Sequence, residues 1–171
     1  MKVNDPNMKT AYIAVGSNLG DKLNNCFKAI GLADKISGCS VEKKSGFYRT
    51  EPVGVEDQDW YVNAVISMRT GIQARDLLKG LLAIEAGMGR IRDKKWESRP
   101  IDLDILLFGQ DVINEKDLTI PHPRMHLRRF VLVPMAELVP DLIHPVLNET
   151  MAELLDGISG EGQMVIPLVE V

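Results

Sequence analysis

With 171 residues, 45% of them hydrophobic, the chain can bury one sizeable core but would be cramped as two domains. A net charge of −4 argues against a dedicated nucleic-acid or anionic-membrane binder, which would carry a global basic excess, and no apolar stretch approaches the ~20 residues of a membrane span. Residues 1–7 hold no apolar segment resembling a signal peptide, so a cytoplasmic location is expected, and Cys26 and Cys39, lacking Cys-x-x-Cys spacing, read as reduced bystanders.

In chain order, residues 1–8 are polar and read as a disordered extension, and 9–171 as a single domain. Residues 10–15 form a first strand. Gly16-Ser17-Asn18-Leu19-Gly20-Asp21 is then a turn into a helix capped by Asp21, with Leu23, Phe27 and Ile30 on its inner face. Residues 41–49 and 61–70 read as strands, the second alternating Val62, Ala64, Ile66 and Met68 against Tyr61, Asn63, Val65 and Ser67. Between them lies a loop with Pro52 and Gly54. Residues 74–87 place Leu77, Leu78, Leu81, Leu82 and Ile84 at helical spacing. A basic loop follows, then a strand from 101 to 108, and Gly109-Gln110-Asp111 suits a hairpin to Val112 and Ile113. Residues 121–138 read as a loop and short helix and 149–155 as another helix, while 165–169 read equally as a strand or a tail. The order β, α, β, β, α, β predicts a ferredoxin-like α+β fold with a mainly antiparallel sheet.

The most informative stretch is 89–108. Period 2 puts Ile101, Leu103, Ile105 and Leu107 on one aliphatic face and Asp102, Asp104, Leu106 and Phe108 on the other. The two carboxylates, ~6.7 Å apart on a strand, would repel by about 2.5 kcal/mol at an effective dielectric of 20. A bound cation removes that cost, and hard oxygen ligands with room for water and phosphate suit magnesium. Five Lys or Arg residues from Arg90 to Arg99 supply charge for a metal-bound polyphosphate. Trp96 inside that basic loop suits a lid that closes over a ligand, or permanent docking on the core.

Other candidates carry a bland reading beside a functional one. The Gly16–Gly20 segment lacks the Lys-Ser/Thr ending of a phosphate loop and reads more simply as a turn. Thr50, Pro52, Gly54, Tyr61 and Asn63 combine an amide, a ring and exposed backbone, which suits a flat polar heterocycle, although strand-edge packing explains them as well. His122, Arg124, His126, Arg128 and Arg129 form a second basic segment, better suited to phosphate or ribose than to a metal, and His144 reads as structural.

Together the motifs Gly16-Ser17-Asn18-Leu19-Gly20, Tyr48-Arg49-Thr50-Glu51-Pro52, Tyr61-Val62-Asn63, Gly89-Arg90-Ile91-Arg92, Arg99 with Asp102-Leu103-Asp104-Ile105, and Ile120-Pro121-His122-Pro123-Arg124 followed by Arg128 and Phe130 are similar in order and spacing to the 6-hydroxymethyl-7,8-dihydropterin pyrophosphokinases of folate biosynthesis. The resemblance covers most of residues 10–140. It implies transfer of pyrophosphate from ATP to the pterin hydroxymethyl group, with AMP as co-product, and two Mg²⁺ ions on Asp102 and Asp104. It places pterin contacts on Thr50, Val53, Tyr61, Asn63 and Phe130, with Trp96 in the closing lid. Nucleotide and phosphate contacts fall on Glu85, Arg90, Arg92, Arg99, Ile105, Thr119, His122 and Arg128, with Arg90, Arg92 and Arg99 also serving the chemistry. The implied partners are these small molecules, with no nucleic acid or membrane, on a monomer or weak homodimer. One departure stands out. The family commonly has Trp-Gly-Pro-Arg ahead of the Asp strand, whereas this chain reads Trp96-Glu97-Ser98-Arg99-Pro100, so slower lid closure or weaker ATP binding is expected. A sugar-nucleotide glycosyltransferase and an RNA-binding ferredoxin-like module are the competing readings; the first suits longer chains with parallel sheets, the second leaves the Asp pair unexplained.

Overall fold

A computed structural model describes residues 5–53, 58–89 and 99–168. The elements are β1 (Lys9–Ser17), α1 (Lys22–Asp34), β2 (Cys39–Lys44), β3 (Tyr48–Thr50), β4 (Tyr61–Thr70), α2 (Ala74–Gly87), β5 (Asp102–Phe108), β6 (Ile113–Glu115), β7 (Leu118–Ile120), α3 (Arg129–Leu138), α4 (Met151–Asp156) and β8 (Val165–Pro167). The main sheet runs β5-β1-β4-β3-β8 with β2 also on β4, every pairing antiparallel. With α1 and α2 between strands in the expected order, this is the ferredoxin-like α+β arrangement.

The sheet separates two apolar layers. On one side Val62, Ala64, Ile66 and Met68 of β4 pack with Cys26, Ala29 and Ala33 of α1 and Leu77 and Leu81 of α2. On the other, Val65 meets Val131, Leu132 and Met135 of α3 and Met151 and Leu154 of α4. The alternation along β4 is thus as read from the sequence. The α1 face is not. Asp21 does cap the helix, accepting the Asn24 N–H at 3.3 Å, but the buried stripe is Cys26, Ala29, Ile30 and Ala33. Small residues let the helix sit close to the sheet. Phe27 is displaced to the rim, 38% exposed, where its ring packs on Phe47 at 4.8 Å. Cys26 and Cys39 are free thiols, and burial pushes Cys26 up to about 12.

Five further expectations need correction or completion. The strand read over 41–49 is split into β2 and β3, because the Ser45 hydroxyl accepts the Val65 N–H at 2.9 Å and interrupts the ladder. Gly109, at φ 54°, does turn the chain, but β6 pairs with β7 instead of returning along β5. The outer edge of β5 is served by other partners: the Leu103 N–H donates to Glu85 at 3.0 Å, and the Leu106 carbonyl accepts the His122 N–H at 2.9 Å. A bulge at Leu106, where the register shifts opposite Tyr12 and Ile13, reverses the alternation of β5. Phe108 therefore joins Ile101, Leu103 and Ile105 in the first layer while Leu107 joins Leu106 in the second. Finally, the segment left open between strand and tail forms β8, paired with β3, and residues 5–8, read as part of a disordered extension, form a turn closed by Met8 N–H to the Asp5 carbonyl at 3.0 Å. No helix among the described residues is long and apolar enough to cross a membrane.

Candidate active site

The antiparallel register brings Asp102 of β5, Gly16 of β1 and Asn63 of β4 into one row across three neighbouring strands, with Asp104 opposite Ala14 one step along. All five line a cleft of about 460 Å³, a volume that suits small-molecule substrates. The cleft has depth because β1 presents only Ala14 and Gly16 to it. A Cβ on Gly16 would overlap the Asn63 Oδ1, so glycine is required for the Asn63 amide to lie across the strand. That amide is 7% exposed and donates from Nδ2 to the Thr50 Oγ at 2.6 Å. Tyr61, Phe130 and the exposed Val53 complete this wall, as the sequence suggested, together with Glu51 and Gln58, which it did not.

The opposite wall is charged. Arg99 faces Asp102 at 3.4 Å, each side chain about a quarter exposed. Its backbone is held by Asn18, which is fully buried: Asn18 Oδ1 accepts the Arg99 N–H at 2.7 Å and the Asn18 N–H donates to the Arg99 carbonyl at 3.1 Å. Asn18 Nδ2 also reaches Gln58 Oε1 at 3.4 Å. The turn after β1 is therefore neither a phosphate loop nor only a helix entry; it clamps the approach to β5. A signal for this existed in the sequence, since Asp21 caps the helix and leaves the Asn18 amide free for a long-range partner.

Arg124 and Arg128 also line the cleft. Burial lowers the pKa of the Arg128 guanidinium from its ordinary value, against the opposing pull of Asp104 and, more weakly, Asp102, and Arg124 adds to the lowering. The same guanidinium lies over the Phe130 ring at 5.5 Å. His122 stands within the field of Asp102 and Arg128. Burial foremost, then the charges of Arg128 and Arg124, depress it to about 4 although Asp102 opposes them. Its Nδ1 accepts the Arg124 N–H at 3.2 Å, which requires a neutral ring.

Other anticipated contacts lie elsewhere. Glu85 is 1% exposed beneath β5, where its carboxylate supports the peptide between the two acids. Ile105 points into the layer under α1 and α2, and Thr119 is exposed on β7. Neither they nor Glu85 line the cleft. Arg90, Arg92, Trp96 and the Glu97-Ser98 departure fall outside the described residues. Among the described residues no third His, Cys, Asp or Glu joins the pair to make a ligand cluster. Two strand carboxylates in an open cleft suit a hard divalent cation that completes its shell with water and phosphate oxygens, and would leave zinc short of ligands.

Comparison with known proteins agrees with this geometry. Residues 12–140 match the family model described as 7,8-dihydro-6-hydroxymethylpterin-pyrophosphokinase (HPPK). The 2-amino-4-hydroxy-6-hydroxymethyldihydropteridine pyrophosphokinase of Haemophilus influenzae is 40% identical over 152 residues, covering 87% of this chain and 95% of the relative. The Pseudomonas aeruginosa enzyme of the same name is 37% identical over 160 residues, covering 94% and 98%. In fold, the chain is similar to a crystal structure of Plasmodium falciparum HPPK-DHPS with pteroate, at a TM-score of 0.72 and 15% identity; the match covers 87% of this chain and 42% of that longer one. With the family model spanning most of its length and relatives of such identity along nearly all of it, the chain belongs to the 7,8-dihydro-6-hydroxymethylpterin-pyrophosphokinase family.

Proposed function

We propose that the cleft holds ATP and 6-hydroxymethyl-7,8-dihydropterin side by side and transfers the β,γ-diphosphate of ATP to the pterin hydroxymethyl oxygen, a step of folate biosynthesis. The observation that carries this reading is the row Asp102, Gly16, Asn63, which sets an acid pair and a buried amide at the two ends of one cavity. Asn63, Thr50 and the Tyr61 and Phe130 rings suit a flat heterocycle with donor and acceptor edges. Arg99, Arg124 and Arg128 suit the triphosphate. Asp102 and Asp104 are the residues that would hold Mg²⁺, which supplies neutralisation of phosphate charge.

The reaction forms a bond from the pterin oxygen to the β-phosphorus, breaks the bond between that phosphorus and the α,β-bridging oxygen, and releases AMP and a proton. No side chain need become covalently attached. The protein's contribution is to hold the two substrates in line and to set fixed cations where charge develops. Arg99 serves the second task with little freedom to drift, because both polar groups of its peptide are bound by Asn18. His122, neutral at physiological pH and with Nδ1 engaged by the Arg124 N–H, keeps an Nε2–H donor and adds no positive charge.

The test is AMP release from ATP and Mg²⁺ with and without the hydroxymethylpterin. Turnover that requires the pterin alcohol and yields its diphosphate supports the assignment. AMP formation indifferent to the pterin, or none at all from a folded chain, overturns it.

A further inference from the structure

The chain continues past the residues matched by the family model, and its last described segment returns to the cleft. Strand β8 pairs with β3. Just before it, Met164 and Glu51 exchange two bonds: the Glu51 N–H donates to the Met164 carbonyl and the Met164 N–H donates to the Glu51 carboxylate, both at 3.0 Å. Glu51 belongs to the pterin-side wall. One residue earlier, the Gln163 amide reaches the opposite wall. Its Oε1 accepts the Arg129 N–H at 3.0 Å, and its Nε2 donates to the Leu127 carbonyl at 3.2 Å.

Those two partners flank Arg128 on either side. Arg128 is the extended residue, φ −117° and ψ 110°, between a short 3-10 turn (Met125–Leu127) and α3, and its own side chain does not cap that helix. Its own backbone is bonded locally, the N–H to the Met125 carbonyl at 3.3 Å and the carbonyl to the Val131 and Leu132 N–H groups at 3.1 and 3.0 Å, but the first N–H groups of α3 lack partners within the helix and need them from outside. Gln163 supplies that acceptor at the start of α3 and a donor to the preceding turn, tying together the two segments that Arg128 joins. Asn18 performs a comparable service for Arg99.

We infer that Gln163 is a positioning residue for Arg128, so that the C-terminal segment helps form the phosphate wall of the cleft. The inference rests on the pyrophosphokinase reading only in taking Arg128 as a phosphate contact. Its test uses the full chain, the variants Gln163→Leu, Gln163→Glu and Arg128→Ala, and the double variant Gln163→Leu with Arg128→Ala, read by equilibrium binding of a non-hydrolysable ATP analogue with Mg²⁺. Loss of both bonds in Gln163→Leu weakens binding by about three- to tenfold. Gln163→Glu keeps the acceptor for Arg129 and loses less. In the Arg128→Ala background the Leu substitution costs less than about twofold, because the group being aimed is gone.

Equal losses in both backgrounds, or none in either, overturn the inference. Should the parent chain not bind the nucleotide at all, the pyrophosphokinase reading is what fails, and hydrogen exchange at the Arg129 amide decides the rest. Protection there that drops in Gln163→Leu supports the clamp, and unchanged exchange overturns it.

Discussion

Asn18 binds both polar groups of a single peptide residue, Arg99, at 2.7 and 3.1 Å, from a position fully removed from solvent. Replacing it by alanine strips the Arg99 N–H of its acceptor and frees the segment that leads into the acid-bearing strand. Asn18→Ala is expected to destabilise the protein by about 1–3 kcal/mol and to lower kcat/KM for ATP by roughly tenfold. Urea unfolding and steady-state kinetics read the two effects. Full activity in a destabilised protein would mean that the clamp serves folding alone.

Gly16 gives the opposite separation. An added methyl group meets the tip of a side chain, Asn63 Oδ1, and not fixed backbone, so the amide can turn aside at modest cost. Gly16→Ala should change stability by less than about 1 kcal/mol, since strand propensity offsets part of the clash. The turned amide, however, leaves its bond to Thr50 and its place in the cavity, so KM for the pterin should rise at least about tenfold while that for ATP holds. An unchanged pterin KM would place the heterocycle elsewhere.

Activity and stability should also part at the acid pair. Two like charges at ~6.7 Å repel by no more than about 2.5 kcal/mol, and Arg99 and Arg128 offset part of it. Without divalent cation, Asp104→Asn should therefore melt at or above the parent temperature, yet lose at least about a hundredfold in AMP release. Mg²⁺ should raise the parent Tm and leave the variant unmoved. Equal Mg²⁺ stabilisation of both would put the cation elsewhere.

His122 predicts a pH response of definite sign. Its pKa falls from an unfolded value near 6.5 to about 4 in the folded chain, so the folded state holds fewer protons between those values. The contribution of the neutral ring to stability is complete above about pH 6.5 and is lost as pH falls toward 4. Titration of the ring by NMR should give a midpoint near the lower value. Removing the charge in Arg128→Ala should move that midpoint upward, because Arg128 is one of the groups depressing it. A midpoint near 6.5 would mean that the ring is solvated.

The legible part of this molecule is what local chemistry decides. The span of α2, the Asp21 cap and the β4 alternation follow from spacing and side-chain type alone. So does the shared face of Asp102 and Asp104, because the bulge in β5 comes after them. What escaped the sequence depends on partners distant along the chain. Ser45 breaks a strand by bonding Val65, and β6 turns from β5 because Glu85 and His122 already occupy that edge. Asn18 and Gln163 look like ordinary polar residues until the fold sets them beside Arg99 and Arg128. Ile105 shows the converse: Asp104 beside it faces the cleft, and strand parity sends Ile105 into the core.

The bulge at Leu106 gives β5 two unlike halves. Ile105, Leu106, Leu107 and Phe108 are each no more than 5% exposed, embedded in apolar material above and below the sheet, whereas Asp102 and Asp104 project from the portion buried on one side only. The strand is thus anchored most deeply at its far end, while the acid-bearing half rests on Ile101 and Leu103 from below and on its pairing with β1. Loosening that anchor, by trimming Leu106 or Leu107, should blunt the chemistry several residues away while touching neither substrate.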